Sequence, residues 1–220
     1  WAHAQNREQG TPLAEVQHHH AHIASVMGEH GITDAVVGVA FDGTGYGEDG
    51  NIWGGEVLLA NRQTFERFAN FVYVPMPGGA AAVKRPLRMA YGALWAFDLL
   101  GHPAAADAVA ALGAEAPVCD QMIERGLNTP LTSSVGRLFD AAAALLGICV
   151  APSYEGEPAI MLDAARADSD PHASTAEAAA QIAQRYAIGV VKNSAGEGST
   201  ALDTSVLLLD PANTFQAMLD

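Results

Sequence analysis

Cysteine and positive charge are scarce in this chain. Its two cysteines, Cys119 and Cys149, lie far apart with no C-x-x-C pairing. They can build neither a disulfide framework nor a zinc ribbon, and read as free thiols of a reducing compartment. Lys and Arg number 11 against 25 Asp and Glu, a formal net charge of −14. Such a deficit argues against a general nucleic-acid grip, which needs clustered Lys and Arg to displace counterions, and against an anionic membrane surface. No apolar run approaches the ~18 residues a membrane helix needs. The first residues, WAHAQNREQG, lack the basic-then-apolar layout of a signal peptide. The expectation is a cytoplasmic protein with small-molecule or protein partners.

Half of the 220 residues are hydrophobic and 16% are charged, a globular composition with ample material for a core. The length suits one large domain or two small ones. The chain is also expected to be a piece cut from something longer, since it ends at NTFQAMLD without a terminating feature.

The periodicity is mixed α/β. Residues 17–30 suggest a helix stopped by Gly31. AVVGVAF, residues 35–41, is an apolar run short enough for a buried strand, and IWGGEVLLA resumes as a second. With DGTGYGEDGN between them, they make a β-hairpin with a long glycine-rich tip. FERFANFVYVPM adds strand character, and PGGAAAVKRP reads as a loop. PLRMAYGALWAFDLLG, APVCDQMIERG, SVGRLFDAAAALLG, EPAIMLDAARA and TAEAAAQIAQRYA read as helices. Ser133 or Ser134 is the expected N-cap of the third of these, and Gly147 ends it. DSDPHAS and KNSAGEGST read as linkers.

VQHHHAHIAS, residues 16–25, holds four histidines in five positions. A cloning tag fits poorly, because the run is internal, interrupted by Ala21, and continues into an apolar segment. At ~100° per residue His18 and His22 share a face, with Cβ atoms ~5–6 Å apart. Ser25 and Glu29 extend that face, while His19 and His20 turn towards the side of Ile23, Ala24 and Met27. Two readings stay open from spacing alone: a solvated polar stripe, or a His-x-x-x-His pair for one metal. Glu29 sits ~10 Å along the axis from His22, too far to share the ion. A third ligand must therefore come from another element.

Asp42 is the candidate, at the end of a buried strand. Gly43, Gly45 and Gly47 follow it in DGTGYG. Such glycines can expose backbone N–H groups as an anion-binding nest, with a carboxylate beside it to hold a bridging metal. The same DG is also an ordinary turn signal.

Taken together, VQHHHAHIASVMGEHG, GVAFDGTGYGEDGNIWGGEVLLA, MPGGAAAVKRPLRMAYGAL, TSSVGRLFDAAAALLG and SYEGEPAI resemble the C-terminal catalytic region of the HypF family. These are carbamoyltransferases of nickel–iron hydrogenase maturation. The resemblance runs from about Glu15 to Met161 and more loosely to the end. It implies an actin/Hsp70-like (ASKHA) ATPase fold, truncated, with residues 1–34 ending a first lobe and 35–220 forming most of a second. It implies carbamoyl phosphate and ATP as substrates and carbamoyl-adenylate as intermediate. The acceptor would be the C-terminal cysteine of the partner HypE.

The resemblance also implies a divalent metal (iron, zinc or magnesium) on His18, His22 and Asp42. A further ligand would come from an aspartate in a later motif beyond this chain, and Asp42 takes the catalytic role. Gly43, Thr44, Gly45 and Gly47 would lie near nucleotide phosphates or the carbamoyl group. Arg137, Asp140 and Glu157 would be the polar residues of the nucleotide cleft.

Each of these last three has a plainer alternative. Arg137 and Asp140, spaced i, i+3, can be a surface helix pair, and Glu157 a charge favoured at a helix start. Lys84, Arg85 and Arg88 suit phosphate or solvent. Trp53 and Phe41 are expected in the core. Ala80, where relatives are expected to be acidic, and Pro158, where alanine is commoner, depart from the family pattern. Two other functions stay open: O-carbamoyl transfer to a small-molecule hydroxyl, and a non-catalytic domain that binds metal or HypE.

Overall fold

The computed structural model describes residues 2–10, 12–167, 176–192 and 206–220. DSDPHAS, and KNSAGEGST beyond Lys192, lie outside the described residues. The chain begins with α1 (Ala2–Gln9), α2 (His18–Glu29) and strands β1 (Val36–Tyr46), β2 (Ile52–Ala60), β3 (Phe65–Phe71) and β4 (Val74–Pro75). Helices α3 (Ala80–Lys84), α4 (Pro86–Ala96), α5 (Ala106–Leu112) and α6 (Ala116–Glu124) follow, then β5 (Leu131–Thr132), α7 (Val135–Leu145) and α8 (Glu157–Ala167). The last elements are α9 (Ala176–Arg185), β6 (Gly189–Lys192), β7 (Leu207–Asp210) and α10 (Ala212–Leu219). The strands form one mixed sheet in the order β4-β5-β2-β3-β7-β6, with β1 paired to β2.

Helix α2 starts where expected, but its cap is a glutamine. Gln17 is extended (φ −63°, ψ 132°), and its side-chain oxygen accepts from the His19 and His20 amides at 2.6 and 3.0 Å. The helix ends at Gly31, whose φ of +66° costs a glycine nothing. Its inward face packs Ile23 and Met27 on Ala40, Leu58 and Ala60 of the hairpin. Burying side chains of this size stabilises by roughly 1.5–3 kcal/mol each. Alternation along β1 leaves Val37, Val39 and Phe41 exposed, so Phe41 is not the core residue expected of it.

A second and larger core gathers Phe71, Val74, Met76, Met89, Leu94 and Leu138 where α4 and α7 meet the sheet. Ser134 caps α7 by accepting from the Arg137 amide, and Gly147 follows the helix with φ +67°.

Two local readings are corrected. DGTGY is strand rather than hairpin tip, because β1 runs on to Tyr46 and only residues 47–51 turn. PGGAAAVK is not all loop, because Ala80–Lys84 closes a short helix. The continued strand is irregular at the point that matters for the site. Phe41 pairs with Gly55 and Gly45 with Trp53, four steps on β1 against two on β2. A bulge of this kind bends the strand and re-aims a side chain. Asp42 is on it.

Candidate functional site

His18 opens α2 and His22 follows one turn later, both exposed. Their Nε2 atoms lie 3.1 Å apart, with the rings edge-on at 4.5 Å between centroids. The bulge in β1 brings the Asp42 Oδ2 atom to 2.9 Å from His18 Nε2. One ligand atom from each of the three residues lies within 4.8 Å of the others.

This arrangement suits a cation. Imidazole nitrogens and a carboxylate oxygen are donors of zinc and iron sites. Neighbouring donors of a tetrahedral centre with ~2.0–2.1 Å bonds stand ~3.3 Å apart, close to the separations seen here. Ser25 and Glu29, also on the exposed face, stay out of the cluster, Ser25 donating back to the His22 carbonyl at 2.9 Å.

Asp42 is partly buried, which alone would raise the pKa of its carboxyl. The Gly43 amide, donating to Oδ1 at 2.6 Å, and His18 more than offset this, so the carboxyl sits below its usual value. Its main chain is anchored as well, since the Ser134 hydroxyl lies 2.6 Å from the Asp42 carbonyl and 2.8 Å from that of Gly43. The N-cap of α7 and the bulge that carries Asp42 are therefore held together.

The other two histidines point inward. His20 meets the Asn61 carbonyl at 2.8 Å through Nε2 and lies against Phe65. His19 is fully buried beside Trp53, and burial lowers its pKa despite the opposing pull of Glu56 and Asp42.

Of the DGTGYG amides, that of Gly43 donates to the Asp42 carboxylate. Gly45 and Gly47 are buried packing positions. A Cβ on Gly45 would lie 2.6 Å from His19 Nε2, and one on Gly47 2.6 Å from the Asn51 carbonyl oxygen. Thr44 is exposed and Gly43 partly so.

Arg137 and Asp140 are not a surface pair. Each is 2% exposed, with Arg137 Nε 3.1 Å from Asp140 Oδ2. Burial raises the Asp140 carboxyl to about 6, against the pull of Arg137 and with a push from Glu155. Arg137 Nη2 reaches towards Glu155 at 3.7 Å, and both lie beside Gly43.

Glu155 was missed in the sequence, where attention fell on Glu157. Glu157 instead turns back to accept from the Ser153 amide at 2.5 Å and hydroxyl at 2.9 Å, which lowers its pKa. Arg85 and Arg88 both pair with Glu115, each at 2.7 Å. Lys84 lines a cavity of 260 Å³ with Val83, Ser153, Tyr154 and Glu155.

Behind the site lies a polar network that sequence reading did not find. Glu56, wholly buried in β2, accepts from Arg67 Nε at 2.6 Å and from the Ser133 hydroxyl at 2.5 Å. The Arg67 guanidinium lies 3.9 Å over the Trp53 ring and reaches Asp49 and Tyr73. Glu56 thus ties β2 to the residue just before the α7 cap. Its only sequence signal is a carboxylate inside an apolar strand.

Residues 38–209 match the family described as carbamoyltransferase, Kae1-like domain, second subdomain. Residues 1–29 match the HypF Kae1-like domain. The chain is 44% identical to carbamoyltransferase HypF2 of Cupriavidus necator over 154 residues, 70% of this chain and 19% of that protein. It is 44% identical to carbamoyltransferase HypF of Rhodobacter capsulatus over 168 residues, covering 74% and 22%. The crystal structure of full-length HypF in the phosphate- and nucleotide-bound form superposes with a TM-score of 0.76 at 34% identity. That superposition covers 96% of this chain and 29% of the solved one. The chain therefore spans about a fifth of the length of these curated relatives.

Proposed function

Because the chain belongs to the HypF carbamoyltransferase family, we propose that it forms the carbamoyl-transferring part of a longer enzyme of nickel–iron hydrogenase maturation. The whole enzyme takes carbamoyl phosphate and ATP, makes carbamoyl-adenylate, and passes the carbamoyl group to the C-terminal cysteine of HypE. These are cytoplasmic substrates, and the enzyme is placed there with them. The fold is that of an actin/Hsp70-like ATPase, residues 1–34 closing one lobe and 35–220 supplying most of the next.

The observation that carries this reading is the convergence of His18, His22 and Asp42. They would hold an iron or zinc ion, since two imidazoles suit these metals better than magnesium. Such an ion supplies Lewis-acid polarisation of a carbonyl or phosphate oxygen. Three protein donors leave room in the shell for a substrate oxygen or a further ligand.

This chain's own residues do the rest. Asp42, whose carboxylate accepts from the Gly43 amide, contributes a fixed negative charge. Arg137 on α7 sits beside Gly43, backed by Asp140, and would wall the side where carbamoyl-adenylate binds, with Thr44 on the exposed edge. The thiolate sulfur of HypE attacks the carbamoyl carbon, an S–C bond forms, the C–O bond to the adenylate breaks, and AMP leaves. A thiolate needs no general base once ionised.

The test uses the full-length enzyme, its His18→Ala and His22→Ala variants, carbamoyl phosphate, ATP and HypE. Mass spectrometry should find the carbamoylated C-terminal cysteine with wild type and none with the variants, while adenylate formation in the separate domain persists. Unchanged transfer by both variants would refute the metal role. Transfer to a sugar hydroxyl but not to HypE would make it an O-carbamoyltransferase.

A further inference from the structure

Among the buried side-chain nitrogens of the four histidines, in the described residues, one is without a hydrogen-bond partner. Nε2 of His19 is fully buried and has no hydrogen-bond partner. A buried N–H without one costs about 1–3 kcal/mol, so its direction needs a reason. Asp42 Oδ2 lies 3.8 Å away, the same oxygen that His18 Nε2 meets at 2.9 Å.

The tautomer of His19 follows from Gln17. The side-chain oxygen of Gln17 is committed to capping α2, where it accepts from the His19 and His20 amides. Its Nε2 group is thereby turned the other way, donating to the Tyr46 carbonyl at 2.8 Å and facing His19 Nδ1 at 3.3 Å. Nδ1 then accepts, and the proton of a neutral His19 sits on Nε2. Gly45 leaves the space for that atom, since a Cβ there would lie 2.6 Å from it. The ring is also fixed against Trp53 and His18, with centroids 6.0 and 5.3 Å away.

We propose that His19 is a positioning residue, whose buried Nε2–H holds the Asp42 carboxylate in place for the ion bound by His18, His22 and Asp42. An imidazole nitrogen that binds a cation has no proton to give. Once His18 is a ligand its hydrogen bond to Asp42 is gone, and His19 is the remaining imidazole donor to that oxygen. The 3.8 Å separation exceeds the ~2.7–3.2 Å of an N–H···O bond, so for this bond to form the partly exposed Asp42 carboxylate must move towards His19 when its bond to His18 is lost. The inference rests on the metal role of the three ligands proposed above.

The probe is Zn²⁺, titrated by chelator competition into the full-length protein. His19→Leu, which removes the donor, should weaken zinc binding by about 10–100-fold, the usual effect of losing a partner behind a metal ligand. His19→Gln, which can return an N–H near the position of Nε2, should recover most of that loss. A packing role alone would give no such recovery.

Long-range proton–nitrogen NMR of the unaltered protein supplies a measurement that does not depend on a variant folding. His19 should carry its proton on Nε2, both without and with zinc. A proton on Nδ1, zinc affinity unchanged in His19→Leu, or Gln no better than Leu overturns the proposal while leaving the metal site standing. Unchanged zinc binding in a His18→Ala/His22→Ala variant overturns the metal site, and this inference falls with it.

Discussion

The Ser134 hydroxyl lies 2.6 Å from the carbonyl oxygen of Asp42, 92 residues away in the chain. Ser134 Oγ also accepts from the Arg137 amide at 3.2 Å, as the N-cap of α7. One side chain therefore starts the helix that buries Arg137 and Asp140 and also fixes the backbone of Asp42. Ser134→Ala should cost about 1–2 kcal/mol in urea unfolding, the upper part of the range for a lost N-cap. Stability equal to wild type would contradict this double role.

Gly54 faces the bulge from β2, where a Cβ would collide with the Asp42 carbonyl oxygen and lie 2.9 Å from Ser134 Cβ. Backbone cannot move aside cheaply, so Gly54→Ala should destabilise by about 1–3 kcal/mol. Gly28, inside α2 with open space around it, makes the opposite case. Gly28→Ala should stabilise by about 0.5–1 kcal/mol, since only backbone freedom changes. Thermal unfolding of the two variants checks both signs.

Glu56, fully buried, and Arg67, partly buried, form a pair that cannot be halved. Arg67→Met leaves a carboxylate with no exposure beside Ser133, and should cost about 3–5 kcal/mol. Glu56→Gln in the same chain should recover part of that loss, because the stranded charge goes with it. Chemical denaturation of the single and double variants measures the recovery, and additive losses would contradict the pairing.

Asp140 should titrate at about 6 in carbon-13 NMR of its carboxyl, against an ordinary 3.8. The folded chain then binds its proton more tightly than the unfolded chain does. The group's contribution to stability thus rises as pH falls through about 6, and levels off below the unfolded value of 3.8. Glu155→Gln should lower the midpoint, because Glu155 pushes it up. A midpoint near 4 would contradict the burial of this residue.

The legible parts of the molecule were those set by local pattern. His18 and His22 one turn apart, the stop at Gly31, the two hairpin strands and the Ser134 cap all follow from spacing and residue type over a few positions. What escaped was set by contacts between distant segments. Gln17 is not a usual cap, and its choice is explained only by Tyr46, 29 residues on. The bulge that aims Asp42 is a mismatch between two strands, invisible in either alone. The plainer alternative of a surface pair stayed open for Arg137 and Asp140 because i, i+3 spacing says nothing about what α4 and the hairpin bury. Glu155 was passed over for Glu157 because only the folded loop tells which of the two faces Arg137.

The central claim is that His18, His22 and Asp42 form a metal centre, and X-ray anomalous scattering tests it most directly. Crystals of the full-length protein grown with Zn²⁺ should show one peak at the zinc edge among His18 Nε2, His22 Nε2 and an Asp42 carboxylate oxygen, and none there in His22→Ala. A zinc-loaded crystal with its peak elsewhere, and no density among these three atoms, would contradict the account.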